Sequence, residues 1–183
     1  MMISSIWTGL YAELPLPQAL ETLYTQGWTA FEMSTEHFVQ IANAEDPTKA
    51  IEETLACLER LDITMPQGHA YLQARVADLD AEQRETDIAI LEQHLEIAAR
   101  LGLKVVVMHP GGRQGYTTRD DCQRIQALNS QAFRRLGDYA GAHNLLIGLE
   151  NLKRRGAETP DDLWNLLDAI DHPALGITLD TSH

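Results

Sequence analysis

Short apolar runs alternate along the chain with longer segments in which apolar residues recur every three or four positions. Apolar runs of about 4–8 residues are typical of strands, and the longer periodicity is typical of amphipathic helices. The short runs predict six strands, over residues 2–7, 28–33, 63–68, 104–108, 145–149 and 175–179. The longer segments predict five helices, over about 16–26, 46–61, 80–101, 119–142 and 159–170.

Two segments show the contrast most clearly. In the second predicted helix, Ile51, Leu55, Leu58 and Leu61 fall on one apolar stripe. The run Val105–Met108 instead contains no polar residue, as expected for a strand that is buried on both faces of a parallel sheet. Strands that alternate with helices in this way predict βαβ units and a parallel α/β fold.

Two parallel architectures fit the alternation: an open doubly wound sheet and a (β/α)8 barrel. Residues 8–15, after the first strand, read TGLYAELP, which lacks the GxGxxG and P-loop motifs of open nucleotide-binding sheets. Ligand-type residues follow the second to sixth strands instead, as in barrel enzymes. We therefore predict an incomplete (β/α)8 TIM barrel, with about six strands and five helices in one domain over residues 1–183.

A barrel of this type has eight strands and about 250 residues. Strands seven and eight are therefore expected outside these 183 residues. Unpaired edges on the first and sixth strands favour pairing with other chain segments. A homo-oligomer in which a second copy covers the open side is the alternative expectation.

Composition and charge narrow the function. A net charge of -13 with 44% hydrophobic residues describes a folded, strongly acidic protein. This charge repels nucleic-acid phosphates and anionic membranes, and no apolar run reaches the ~20 residues of a membrane span. No signal-peptide pattern opens the chain, and Cys57 and Cys122 lie outside a CxxC spacing, which favours reduced thiols. We predict a cytoplasmic protein that binds neither nucleic acid nor membrane.

Ligand-type side chains stand at the ends of the second to sixth predicted strands: Glu32, His69, His109, Glu150 and Asp180. His183 follows Asp180 by three positions. Because the carboxyl ends of parallel strands meet at one face, these side chains are expected to line one site. A carboxylate that ends a buried apolar strand needs a counter-charge such as a metal ion, which favours Glu150 and Asp180 as ligands.

Four of these stretches resemble a known family: Gly68-His69-Ala70-Tyr71, Met108-His109-Pro110-Gly111-Gly112, Leu149-Glu150-Asn151 and Leu179-Asp180-Thr181-Ser182-His183. In this order they are similar to the xylose isomerase-like TIM-barrel superfamily, which includes sugar phosphate isomerases and epimerases and the endonuclease IV-type abasic-site nucleases. The resemblance implies that Glu150 and Asp180 bind a divalent metal with a His and a Glu from strands seven and eight. It implies that His183 lies beside that metal. In the nuclease branch it implies zinc binding by His69, His109 and Glu150.

The resemblance further implies an isomerase or epimerase that acts on a small sugar or sugar phosphate. Carboxylate and imidazole ligands suit Mn, Zn, Co or Mg, and such an ion would stabilise an enediolate as a Lewis acid. Glu150 is then both a metal ligand and the catalytic acid/base. Two alternatives stay open: an abasic-site nuclease, which the acidic charge opposes, and a barrel fragment that binds metal or ligand without turnover.

The site also predicts substrate contacts. His69 and His109 either contact substrate or join the metal ligands, and a buried structural histidine is the alternative for His69. Trp7 at the end of the first strand either lines the substrate floor or packs as a core aromatic. Glu32 either reaches the site or has a surface or structural role.

Basic and helical residues complete the assignments. Lys153 and Arg154 follow the fifth strand, where they either neutralise a substrate phosphate or form a solvated basic run. His94 falls within a predicted helix, and we expect it on the surface.

Overall fold

The structure is a computed structural model that describes residues 3–111, 118–153 and 157–182, apart from the side chains of residues 119 and 122. The predictions made for Cys122, Arg154 and His183 therefore lie outside the described part of the chain. Six parallel strands form one sheet, and their spatial order follows their order in sequence. The strands are β1 (Ile6–Trp7), β2 (Ala30–Met33), β3 (Thr64–His69), β4 (Val105–Met108), β5 (Leu146–Glu150) and β6 (Leu175–Thr178).

Helices connect the strands. They are α1 (Leu16–Thr25), α2 (Thr35–Ala42), α3 (Pro47–Leu61), α4 (Ala81–Leu101), α5 (Arg119–Ala142) and α6 (Pro160–Ile170), with a 3-10 turn over Thr8–Tyr11. A doubly wound sheet reverses its strand order at a switch point, and no reversal occurs among these six strands. The sequential parallel order is that of a barrel wall, which confirms the predicted fold class.

Local signals in the sequence explain where most helices begin and end. The Thr159 side chain accepts a hydrogen bond from the Asp162 backbone N–H, and the Asp162 side chain accepts one from the Thr159 backbone N–H. The two residues therefore form a capping box at the start of α6. Asp80 caps α4 by a simpler arrangement, in which its side chain accepts from the backbone N–H groups of Glu82 and Gln83. Gly102 ends α4 with a φ of 77°, a left-handed conformation that favours glycine.

The two faces of the sheet have different roles. A Cβ atom at Gly68 would lie 2.8 Å from the Phe38 ring and 2.9 Å from the Leu103 side chain, so position 68 faces the helices. Because side chains alternate along a strand, Gln67 and His69 face the opposite side, which is the barrel interior. The core lies mainly between the sheet and the helices, and its fully buried members include Phe31, Leu95, Val106, Phe133 and Ile147.

The prediction of five helices was wrong, because the described chain contains a sixth, α2. This helix follows β2 almost directly and is capped by Ser34, whose side chain accepts a hydrogen bond from the backbone N–H of His37. It spans Thr35–Ala42 and buries Phe38 and Ile41. No proline or glycine marks its ends, and a helix of two turns offers little periodicity to recognise.

The prediction that His94 lies on the surface was also wrong. Its exposed fraction is 1%, and its ring stacks on Phe38 with centroids 4.8 Å apart. Phe38 belongs to α2, so the helix that covers His94 is the one that the sequence pattern did not reveal. Burial lowers the pKa of His94 to about 4, because a charged imidazole loses its hydration there.

None of the described helices combines the length and the apolar character needed to cross a bilayer.

We expect His94 to make stability dependent on pH. Its pKa is near 6.5 in the unfolded chain and about 4 when folded, so between these values the unfolded state binds more protons and stability falls with falling pH. Replacing His94 by Phe should remove about 2 to 3 kcal/mol of the stability lost between pH 7 and 4.5. Urea unfolding of both proteins at the two pH values measures the difference.

A second uncharged variant controls for packing. His94→Leu should differ from His94→Phe in its stability at pH 7 and share the weakened pH dependence. Equal losses of stability in the parent and in both variants would contradict the account.

Candidate metal centre

A cavity of about 530 Å³ opens at the carboxyl ends of the strands. The last residue of β1, of β3, of β5 and of β6 lines the cavity, and so does the residue directly after β4. The strand β2 contributes Glu32, which is its last residue but one. The cavity is lined by Trp7, Glu32, Thr35, Gln67, His69, Leu72, Val107, His109, Glu150, Thr178, Leu179, Asp180 and Thr181. A concave cavity with converging polar groups at this face is where barrel enzymes place their sites.

Three ligand-type side chains converge in the cavity. The Nε2 atom of His109 lies 2.6 Å from Oε2 of Glu150, and Nε2 of His69 lies 3.1 Å from the same oxygen. The ligand atoms of all three residues lie within 4.8 Å of one another. The two imidazole rings meet edge to face, with centroids 4.8 Å apart.

The parallel sheet places this cluster. His69 is the last residue of β3, His109 follows β4 directly, and Glu150 ends β5. Met108 pairs in register with Leu149, so His109 and Glu150 continue their neighbouring strands side by side. Three adjacent strands therefore deliver one ligand each to the same edge.

Electrostatics bind the three residues together. Burial would raise the pKa of Glu150, but hydrogen bonds from His109 and His69 and the charges of those rings hold the pKa of this carboxyl well below its usual range. Burial would lower the pKa of His69, yet its bonds to Glu150 and to the Ala70 carbonyl outweigh burial and raise it. A carboxylate only accepts, so both Nε2 atoms donate to Glu150.

The donor set fits a divalent cation. Nδ1 of His69 donates to the Ala70 carbonyl at 3.2 Å, which aims Nε2 at Glu150. Metal-binding histidines commonly use their second ring nitrogen in this manner. Two imidazole nitrogens and one carboxylate oxygen are ligands for Zn, Co or Mn, and a cation at this point would replace the protons that now join them to Glu150.

Two buried polar side chains hold the loops that carry the histidines. The hydroxyl of Thr35 lies 3.0 Å from the His69 carbonyl and 2.5 Å from the Ala70 carbonyl. On the other side, the backbone N–H of Gly111 donates to Oδ1 of Asn129 at 2.6 Å, and Gly111 has a φ of 95°. Thr35 and Asn129 were not predicted, since a threonine and an asparagine within helical segments carry no ligand signal.

Asp180 lines the same cavity, but the structure joins Glu150 to the histidines rather than to Asp180. Its backbone carbonyl accepts from Nδ2 of Asn151 at 2.8 Å, and its backbone N–H donates to Oδ1 of Asn151 at 2.7 Å. The side chain also accepts from the Ser182 backbone at 2.7 Å. Metal binding by Asp180 stays a prediction.

The predicted substrate contacts divide into two groups. Trp7 and Glu32 line the cavity, and Trp7 is 41% exposed, while contact of either residue with a substrate stays a prediction. Gln67, which was not predicted, donates to Glu32 at 2.7 Å. Lys153 is exposed and lies outside the cavity lining, because Leu152 turns into a small apolar cluster and bonds to the Ala157 carbonyl.

The family of the chain follows from a comparison with protein-family models. Residues 20–183 match the model described as xylose isomerase-like TIM barrel. The chain belongs to this family. The barrel fold inferred from the strand order and the resemblance inferred from the strand-end motifs are thereby confirmed.

Similar proteins in the family have several activities. The 3-dehydroshikimate dehydratase of Pseudomonas putida is 26% identical over 92% of this chain. A probable endonuclease 4 of Acholeplasma laidlawii is 24% identical over 74% of it. Among solved structures, the D-psicose 3-epimerase of Clostridium cellulolyticum superposes on 98% of the chain with a TM-score of 0.81 at 17% identity.

The chain spans only part of each of these proteins. It covers 24% of the dehydratase and 47% of the endonuclease, and 64% of the epimerase chain. At this identity the epimerase shows the fold alone. The similar proteins named here are enzymes.

Thr35 offers a test of the metal site that leaves the three ligands intact. Thr35→Val removes the hydroxyl that fixes the His69 loop and keeps the side-chain shape, so we expect Co(II) affinity to fall about tenfold. Isothermal titration with Co(II) measures it. Thr54→Val is the matched control, because Thr54 is also buried but donates to the Ala50 carbonyl within α3.

Equal affinities of Thr35→Val and the parent would show that the loop does not position a metal ligand. A fall in both threonine variants would indicate a general loss of packing instead.

Proposed function

We propose that this chain carries the metal site of an isomerase or epimerase that acts on a small sugar or sugar phosphate. The observation that carries the proposal is the convergence of His69 and His109 on one oxygen of Glu150 inside a cavity of about 530 Å³. A cavity of this size suits a small molecule. The solved epimerase structure, with its TM-score of 0.81, supports a barrel that can house such chemistry.

The residues divide the work in the following way. His69, His109 and Glu150 would hold a divalent cation, and in this proposal Asp180, which lines the same cavity, joins them when substrate is bound. Such a cation polarises a carbonyl oxygen and so makes the neighbouring C–H proton acidic. Thr35 and Asn129 keep the two histidine loops in place.

Proton transfer needs a carboxylate beside the reacting carbon. Both histidines contact Oε2 of Glu150, so in this proposal Oε1 takes the proton from carbon and returns it. The hydrogen bonds and charges of both histidines hold the pKa of Glu150 well below its usual range, so the carboxylate is ionised and able to accept a proton.

An abasic-site nuclease is the second candidate, because His69, His109 and Glu150 are the set that the resemblance assigns to zinc in that branch. The probable endonuclease 4 of Acholeplasma laidlawii supports it. Against it, the chain carries a net charge of -13, and Glu32, Glu150 and Asp180 line the cavity. Such a surface repels a phosphate backbone.

Exchange of carbon-bound hydrogen tests the proposed function. The Mn(II)-loaded protein in D2O should incorporate deuterium beside the carbonyl of D-fructose or D-fructose 6-phosphate, as NMR detects. Glu150→Gln should lower the rate by about 10² to 10⁴. The matched control is Glu96→Gln, which removes an equal charge from an exposed position on α4.

Cleavage of an abasic DNA duplex by the Zn-loaded protein, with no deuterium entering either sugar, would overturn the isomerase proposal in favour of the nuclease.

A further inference from the structure

Beside the metal centre, three side chains form a row across the first three strands. Trp7 of β1 pairs in register with Glu32 of β2, and Glu32 pairs with Gln67 of β3. All three line the cavity. Gln67 lies two residues before His69 on β3, and the two side chains are neighbours on the same face of the strand. The row therefore lies directly beside the candidate metal centre.

A carboxylate and an amide are unusual at these positions. Interior positions of a barrel sheet are dominated by Val, Ile and Leu, and the neighbouring strand follows this pattern with Val105 and Val107. Glu32 and Gln67 are half-buried. Across the ranges 3–111, 118–153 and 157–182, no lysine or arginine forms an ion pair with Glu32.

The hydrogen bond between the two side chains fixes which atoms face the cavity. Nε2 of Gln67 donates to Oε2 of Glu32 at 2.7 Å. The amide nitrogen is thereby directed at the carboxylate, and its flipped orientation would set two acceptors against each other. The pair therefore offers carboxylate and amide oxygens as acceptors, with one further amide N–H as a donor.

Acceptors that are fixed in this way recognise hydroxyl groups. A sugar hydroxyl donates to a carboxylate or an amide oxygen, and charge-assisted bonds of this kind are the stronger ones. The exposed indole of Trp7 stands next in the row and offers an apolar face to the C–H side of a sugar ring or chain.

We infer that Glu32 and Gln67, flanked by Trp7, bind the hydroxyl groups of a neutral, unphosphorylated sugar. The inference rests on the proposed function only in taking the occupant of the cavity to be a sugar. Glu32 is thus a specificity-determining residue that selects free sugars over sugar phosphates at this wall. It does not itself transfer the proton.

The charges around the cavity support the same choice. The described lining residues include Glu32, Glu150 and Asp180 but no lysine or arginine, and Lys153 is exposed and is not one of them. A phosphate group placed against Glu32 would meet a like charge and, among the described lining residues, no lysine or arginine, and like-charge repulsion is a standard way to reject a ligand.

Saturation-transfer NMR on the full chain tests the inference, with D-fructose and D-fructose 6-phosphate as probes. The chain is loaded with Zn(II), which is diamagnetic. The parent should bind D-fructose at least tenfold more tightly than the phosphate. Glu32→Gln should weaken D-fructose binding about tenfold or more, because it replaces a charged acceptor. It should also reduce the ratio between the affinities for D-fructose and for D-fructose 6-phosphate. Gln67→Ala should weaken D-fructose binding in the same direction.

Glu59→Gln is the control, since it removes the same charge from an exposed site on α3 and should leave both affinities unchanged. Thermal unfolding shows whether each variant is folded. Tighter binding of the phosphate by the parent, equal effects of the Glu32 and Glu59 variants, or no binding of either sugar would overturn the inference.

Deuterium exchange in the same samples separates the two proposals. Binding of D-fructose that depends on Glu32 but is accompanied by no exchange would support the recognition row and contradict the isomerase. Exchange into D-fructose 6-phosphate alone would support the isomerase chemistry and contradict the recognition row.

Discussion

One buried carboxylate, Glu150, determines the arrangement of the whole site. It is 6% exposed and accepts N–H groups from His69, at the end of β3, and from His109, directly after β4. Burying a carboxylate without such partners costs several kcal/mol, of the order of 3 to 5 when one partner is removed. The ends of β3, β4 and β5 are therefore held in register by the same interaction that concentrates ligands for a cation.

The parallel sheet brings the three residues of this interaction together. Each βα unit returns the next strand to the same edge, so ligands separated by up to 81 positions in sequence become neighbours. The helices then contribute from behind: Thr35 of α2 and Asn129 of α5 fix the loops after β3 and β4. The chemistry of the site and the stability of the sheet edge are consequently difficult to separate by mutating the ligands themselves.

The sequence predicted the strands, five helices and the family correctly because apolar runs, caps and strand-end motifs are local signals. It missed α2, which has two turns and no proline or glycine at its ends, and therefore it also misplaced His94, which is covered by Phe38 of that helix. It paired Glu150 with Asp180 as metal ligands, because the spacing of residues in the sequence does not reveal which side chains are in contact. Gln67 escaped notice since a lone glutamine becomes meaningful only when register sets it against Glu32.

The central claim is that His69, His109 and Glu150 bind one divalent ion together. X-ray absorption spectroscopy of the protein loaded with one equivalent of Zn(II) tests it most directly. We expect two imidazole ligands with Zn–N distances of about 2.0 to 2.1 Å and at least one carboxylate oxygen, with one imidazole lost in His109→Ala. A zinc shell of oxygen ligands alone, unchanged in that variant, would contradict the account.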